Sequence, residues 1–118
     1  MNMSIEELDT PVLLIDADAL ERNIQRMQVL SVEAGIAYRP HAKSHKSPML
    51  AQMQLDAGAH GICCAKLGEA EVMADAGIPD ILITTPVIGR SKLQRLVNAA
   101  QQSRISVVAD DADNISDL

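Results

Sequence analysis

Apolar residues along this chain fall into two alternating patterns: short continuous runs, and longer stretches in which they recur three or four positions apart. The runs are residues 10–16 (TPVLLID), 61–65 (GICCA), 81–84 (ILIT) and 105–109 (ISVVA). Each has the length of a strand covered on both faces. Residues 36–43 (IAYRPHAK) read as an imperfect strand, because Pro40 has no N–H to give to a ladder.

Between the runs lie amphipathic segments with helix signals at their ends. Asp18 precedes Glu21 by three residues, the spacing of a capping box. Leu20, Ile24, Met27, Leu30 and Ala34 then recur at helical spacing, and Gly35 can close the helix. Ser47-Pro48 is a second start, a hydroxyl cap followed by Pro at the first helical position. Leu50, Met53 and Ala57 form its apolar stripe and Gly58 ends it. Residues 67–77 predict a third helix ending at Gly77, and Ser91 opens a fourth with Leu93, Leu96, Val97 and Ala100 on one face. Asp113 reads as the cap of another.

The order is therefore about four βα units, each of roughly 20–25 residues, which predicts an α/β fold with a parallel sheet covered by helices. Units this short and regular favour a barrel. A closed (β/α)8 barrel takes about 250 residues, and the chain has 118. The expectation is a fragment of a longer protein: an N-terminal arm over residues 1–10, then a partial barrel domain over residues 11–118.

Composition narrows the function. The chain has no Trp or Phe and a single Tyr, Tyr38, so six Met and the aliphatic residues must supply the packing. A net charge of -6 argues against a nucleic-acid or anionic-membrane partner. No apolar run approaches the roughly 18 residues of a membrane span, and the acidic start MNMSIEELDTP lacks the features of a signal peptide. Cys63 and Cys64 are adjacent, so on a strand they point to opposite faces and make a poor disulfide. A cytoplasmic, reducing setting is expected.

One segment gathers reactive groups. Arg39, His41, Lys43, His45 and Lys46 fall within eight residues of an otherwise acidic chain, where a strand leads into the Ser47-capped helix. That end of the strand is where α/β barrels build their sites. If residues 36–43 are extended, Arg39, His41 and Lys43 share one face. A lysine among other cations and partly desolvated is pushed toward the neutral amine that a Schiff base requires, and Lys43 is the candidate. The same charges also suit a solvated turn, and spacing alone leaves both readings open. His41 and His45 lie four apart, but the strand context and the neighbouring cations argue against a metal, so no metal ligand is assigned.

The string Pro40-His41-Ala42-Lys43-Ser44-His45-Lys46 matches every fixed position of the pattern PHxKxHK. With GICC at 61–64, Glu69-Ala70, Ala76-Gly77-Ile78 and the opening from Asp9 to Val12, it resembles the D-threonine aldolase / D-serine dehydratase family. The resemblance runs from about residue 8 to the end of the chain. It implies the N-terminal half of a pyridoxal-phosphate-binding barrel of the alanine racemase type (fold type III), with Lys43 as the Schiff-base lysine and His41 and Arg39 beside the cofactor. It implies a lyase acting on D-amino acids with a β-hydroxyl, by retro-aldol cleavage or by elimination. It further implies a homodimer at full length and a divalent metal whose ligands lie in later parts of the family's longer chains. Where family members often carry Gln after the two cysteines, this chain has Ala65.

Two rivals are kept. One is a pyridoxal-phosphate-binding homeostasis protein without amino-acid turnover, and the other is an inactive half-barrel with open strand edges.

Overall fold

The computed structural model describes residues 4–118. A single-turn 3-10 helix, Ile5–Glu7, precedes five α-helices and three strands: α1 Ala17–Glu33, α2 Pro48–Asp56, β1 Ile62–Cys64, α3 Leu67–Asp75, β2 Asp80–Ile83, α4 Arg90–Ala100, β3 Arg104–Val107 and α5 Ala112–Asp117. The first three residues of the expected N-terminal arm lie outside the described residues.

The strands form one parallel sheet in the order β1-β2-β3. Ile62 pairs with Ile81 and Cys64 with Ile83, while Ile81 pairs with Ile105 and Ile83 with Val107. Side chains alternate across a strand, so these residues project to one face, where α3 and α4 lie over them. Ile62, Cys64, Ile81, Ile83, Met73 and Ile78 are completely enclosed there. Aliphatic residues and one Met thus do the work of the missing aromatics, together with Ala51, Ala70 and Ala74, which let the helices approach closely.

The alternation of strand and helix predicted over residues 61–118 is realised, and the two earlier strands are corrected. Residues 12–16 form no ladder, and Leu13 is 97% exposed. A strand exists by pairing, and among the described residues nothing pairs with this run. Residues 36–43 contribute one parallel bridge, His41 to Cys63. Cys63 donates to the Pro40 carbonyl at 2.8 Å, and Ala42 N–H donates to the Cys63 carbonyl at 2.8 Å. Two residues back, the donor for the next rung would be the nitrogen of Pro40, which carries no hydrogen.

The caps show a systematic shift. Asp16, not Asp18, caps α1, its carboxylate accepting from Ala19 N–H at 2.8 Å. Likewise Asp111, not Asp113, caps α5. In each Asp-x-Asp pair the first residue is still extended and can reach forward, while the second already lies in the first turn. Helix α4 begins at Arg90 after Gly89, so Ser91 falls inside it, and its buried residues are Leu96 and Ala99 rather than Val97 or Ala100. The expected start at Ser47-Pro48 is as predicted, with Leu50 N–H donating to Ser47 Oγ.

Helix α1 has the expected length but a different inner face. Ile24, Gln28 and Ser31 turn inward, while Met27 and Leu30 are about half exposed. Gly58 has a φ of +110°, a backbone conformation that favours glycine, and the end of the Gln28 side chain lies close over it. The radius of gyration, 16.9 Å, exceeds the ~13 Å of a closed domain of this length. Among the described residues, the helices packed on the sheet, α3 and α4, lie on one face of it.

Candidate functional site

The opposite face is polar, and its groups sort to the two ends of the sheet. At the amino-terminal end, Asp80 opens β2 and holds two cations: Arg39 binds Oδ1 and Arg104 binds Oδ2. The guanidinium of Arg39 passes over Gly61, where a Cβ would sit 2.0 Å from Nη1 and 2.8 Å from the Asp80 carbonyl. Glycine at 61 therefore permits the crossing. Partial burial works to raise the Asp80 carboxyl, but the hydrogen bonds and charges of Arg39 and Arg104 outweigh it and hold the group below its ordinary value.

At the carboxyl-terminal end lie His41, Lys43 and Thr84. The chain leaves its bridge at His41, bends over residues 42–45, and returns through Lys46, which has a φ of +50°. Lys46 N–H closes the bend on the Ala42 carbonyl at 2.7 Å. Lys43 stands in this bend, exposed, and its side chain has no hydrogen bond or ion pair among the described residues. The expectation that it continues a shared strand face with Arg39 and His41 is corrected, because the extended backbone stops before it. The desolvation invoked for its amine is also not supplied by these residues.

His41 is fastened on both sides of its ring. Lys43 N–H donates to Nδ1 at 3.3 Å, and Nε2 lies 3.2 Å from Thr84 Oγ1. The structure thus joins His41 to Lys43 and sends Arg39 to the opposite end of the sheet. His45 repeats half of the pattern: Ser47 N–H donates to its Nδ1 at 3.0 Å, while Nε2 is enclosed without a partner. Burial holds the His45 imidazole below its ordinary value.

The adjacent cysteines separate as strand geometry requires. Both are free; Cys63 lies on the polar face and Cys64 in the helix-covered core. Burial, with the charge of Glu69 nearby, pushes the Cys64 thiol up to about 12, and burial also raises Cys63. Lys66 is exposed at the start of α3. No group of three or more His, Cys, Asp or Glu placed to hold a metal occurs among the described residues. No helix among them is long and apolar enough to cross a membrane.

Sequence reasoning missed Thr84 and Asp80. For Thr84 a signal existed, a hydroxyl ending an otherwise apolar strand run. For Asp80 none did, because its partners lie 41 and 24 positions away in the chain.

A parallel sheet with a lysine and a histidine at its carboxyl end is a general α/β arrangement, and the comparison with known proteins makes it specific. The model of the alanine racemase N-terminal domain matches residues 15–118. The chain belongs to that family. Within it, the chain is 43% identical over 114 residues to a D-threonine aldolase of an Arthrobacter species, a match covering 97% of this chain and 30% of that protein. It is 40% identical over 118 residues to the 3-hydroxy-D-aspartate aldolase of Paracoccus denitrificans, covering 98% of this chain and 30% of the relative. Among solved structures, the D-threonine aldolase from Filomicrobium marinum superposes with a TM-score of 0.94 at 47% identity, covering 97% of this chain and 31% of that one. The D-threo-3-hydroxyaspartate dehydratase from Delftia sp. HT23 gives 0.82 at 35% identity, covering 91% and 28%. The chain spans about 30% of the length of the curated relatives it matches. The resemblance to the D-threonine aldolase / D-serine dehydratase family drawn from PHxKxHK is thus borne out, within the alanine racemase N-terminal domain family and with aldolases and dehydratases as relatives.

Proposed function

We propose that this protein is a pyridoxal-phosphate-dependent lyase of D-amino acids bearing a β-hydroxyl, with Lys43 as the residue that anchors the cofactor. The observation that carries the reading is the placement of Lys43. It is an exposed amine without a side-chain partner among the described residues, fixed by its backbone to His41 at the carboxyl end of a parallel sheet. An unengaged amine fits the aldehyde end of pyridoxal phosphate. When bound, the group supplies an electron sink for bond cleavage at the substrate α-carbon.

The chain's own residues do the positioning. His41 holds the Lys43 backbone, the bend over residues 42–45 presents the side chain beyond the sheet, and the Ser47 cap fixes where the bend must end. Arg39 we assign to the amino-terminal edge, through Asp80, rather than to the cofactor. Retro-aldol cleavage and elimination stand as the two alternative reactions, since an aldolase and a dehydratase match this chain at 43% and 45% identity. A mutant D-threo-3-hydroxyaspartate dehydratase has been solved in a metal-free form, and we include a divalent metal in the reading, with its ligands outside the described residues. The reading further includes a barrel that closes over the polar face, a homodimer, and a cytoplasmic setting in which both thiols stay reduced.

The test is spectroscopic and covalent. Pyridoxal phosphate added to the protein should give an absorbance band that borohydride bleaches, and peptide mapping should find the label on Lys43. Lys43→Ala should lose both the band and the label. Label spread evenly over Lys46, Lys66 and Lys92, or a band that survives in Lys43→Ala, would overturn the assignment. Release of glycine and an aldehyde from a β-hydroxy-D-amino acid distinguishes aldol cleavage from elimination, which releases a keto acid and ammonia. Binding without either product would favour the homeostasis rival.

A further inference from the structure

We propose that Thr84 is a positioning residue for Lys43, acting through the ring of His41. The hydrogen-bond partners fix where the protons must be. Thr84 Oγ1 lies 3.1 Å from the Cys64 carbonyl. A carbonyl can only accept, so the hydroxyl proton goes to Cys64 and Oγ1 is left with lone pairs alone. His41 Nε2, 3.2 Å from the same oxygen, must then be the donor and carry a hydrogen. At the other side of the ring, Nδ1 receives the Lys43 N–H at 3.3 Å, so it must present a lone pair. The two contacts agree on one state: a neutral imidazole protonated on Nε2.

The result is a relay in which every bond points the same way. Lys43 N–H donates to His41, His41 donates to Thr84, and Thr84 donates to Cys64. Its end is firm, because Cys64 is wholly enclosed in the core and its carbonyl also accepts the Thr84 backbone N–H at 2.9 Å. The loop that carries the lysine is thereby tied, through one side chain, to the rung between β1 and β2. His45 supplies an internal contrast. It accepts the Ser47 N–H in the same manner, yet among the described residues its Nε2 has no hydrogen-bond partner, and the side chain beside it, Gln54, belongs to α2 rather than to the sheet. Thr84 lies 41 positions beyond Lys43 and outside the PHxKxHK string, and no local pattern connects them.

This inference rests on the proposed function only in giving the held lysine a reaction; the relay itself is measurable without cofactor. Nitrogen-15 spectra of the histidine rings in the unsubstituted protein should show His41 as the Nε2–H form. Thr84→Val, close in shape but without the hydroxyl, should shift the His41 Nε2 resonance, whose proton loses its acceptor, and raise the exchange rate of the Lys43 amide by roughly fivefold, the worth of one ordinary hydrogen bond. Thr84→Ser should restore both readings, which a merely space-filling role would not do. His41 found as the Nδ1–H form in the unsubstituted protein would overturn the proposal before any variant is made. Unchanged ring and amide signals in Thr84→Val would do the same. Trapping of pyridoxal phosphate then separates the two ideas. Slower labelling of Lys43 in Thr84→Val, with Lys46 unaffected, supports both. No labelling of Lys43 even in the unsubstituted protein, with the ring signals as expected, removes the cofactor reading and leaves the relay in place.

Discussion

The two faces of the sheet are built from the same strands, one residue out of phase, and they obey different physics. On the helix-covered face Ile62, Cys64, Ile81 and Ile83 are fully enclosed, held by burial that has magnitude but little direction. On the other face Arg39, His41, Asp80 and Thr84 are joined by bonds with defined donors and acceptors. The first face makes the sheet stable. The second decides which side chains stand together and in which protonation state, and so it carries the candidate chemistry.

Neighbouring residues that differ only in face can sharpen this comparison. The adjacent cysteines should separate most. With a thiol near 12 inside the core, Cys64 should alkylate more than about a hundredfold slower than Cys63 at mildly alkaline pH, as read by mass spectrometry of the iodoacetamide-treated protein. Equal rates would mean that the helix-covered face opens as readily as the polar one.

Next in size is the core itself. Ile81→Ala should cost about 2–5 kcal/mol in urea unfolding, since it leaves a cavity that Met73 and Ile78 cannot fill without moving. Asp80→Asn should cost about 1–2 kcal/mol, by weakening charge-assisted bonds from two arginines. Asp80 also sets a pH dependence. Its folded-state value is held down, so its contribution is complete above the ordinary carboxylate value and is lost as pH falls through the folded-state value. The acid limb of the stability curve should therefore flatten in Asp80→Asn. The smallest effect is expected one position from Ile81: Leu82→Ala, on the half-covered polar face, should cost under ~1 kcal/mol by the same unfolding measurement. A loss equal to that of Ile81→Ala would erase the distinction between the faces.

How much of this was legible in the sequence follows from the range of each interaction. Helices α2 and α3 were readable because Ser47-Pro48, Gly58 and Gly77 act within a turn of where they stand. The strands at 62–64, 80–83 and 104–107 were readable because each contains a short run rich in Ile, Leu, Val or Cys between helical segments. The caps at Asp16 and Asp111 were missed by two residues, since both members of an Asp-x-Asp pair have capping chemistry and only the backbone path chooses between them. Residues 12–16 were misread as a strand because pairing, not composition, makes one. Arg39 looked like part of the reactive cluster for the same reason. Its neighbours in sequence are His41 and Lys43, but its neighbour in space is Asp80.

The sequence by itself determined the order of elements, the apolar identity of the helix-covered face and, through PHxKxHK, the family and the lysine to test. These are carried by residues close together in the chain, where spacing stands in for geometry. Tertiary structure alone decided that Arg39 crosses Gly61 to Asp80, that the chain bends before Lys43, and that Thr84 meets His41. The first and last of these are contacts that each close a loop of some forty residues, and no local pattern can encode a partner whose position depends on the register of a parallel sheet.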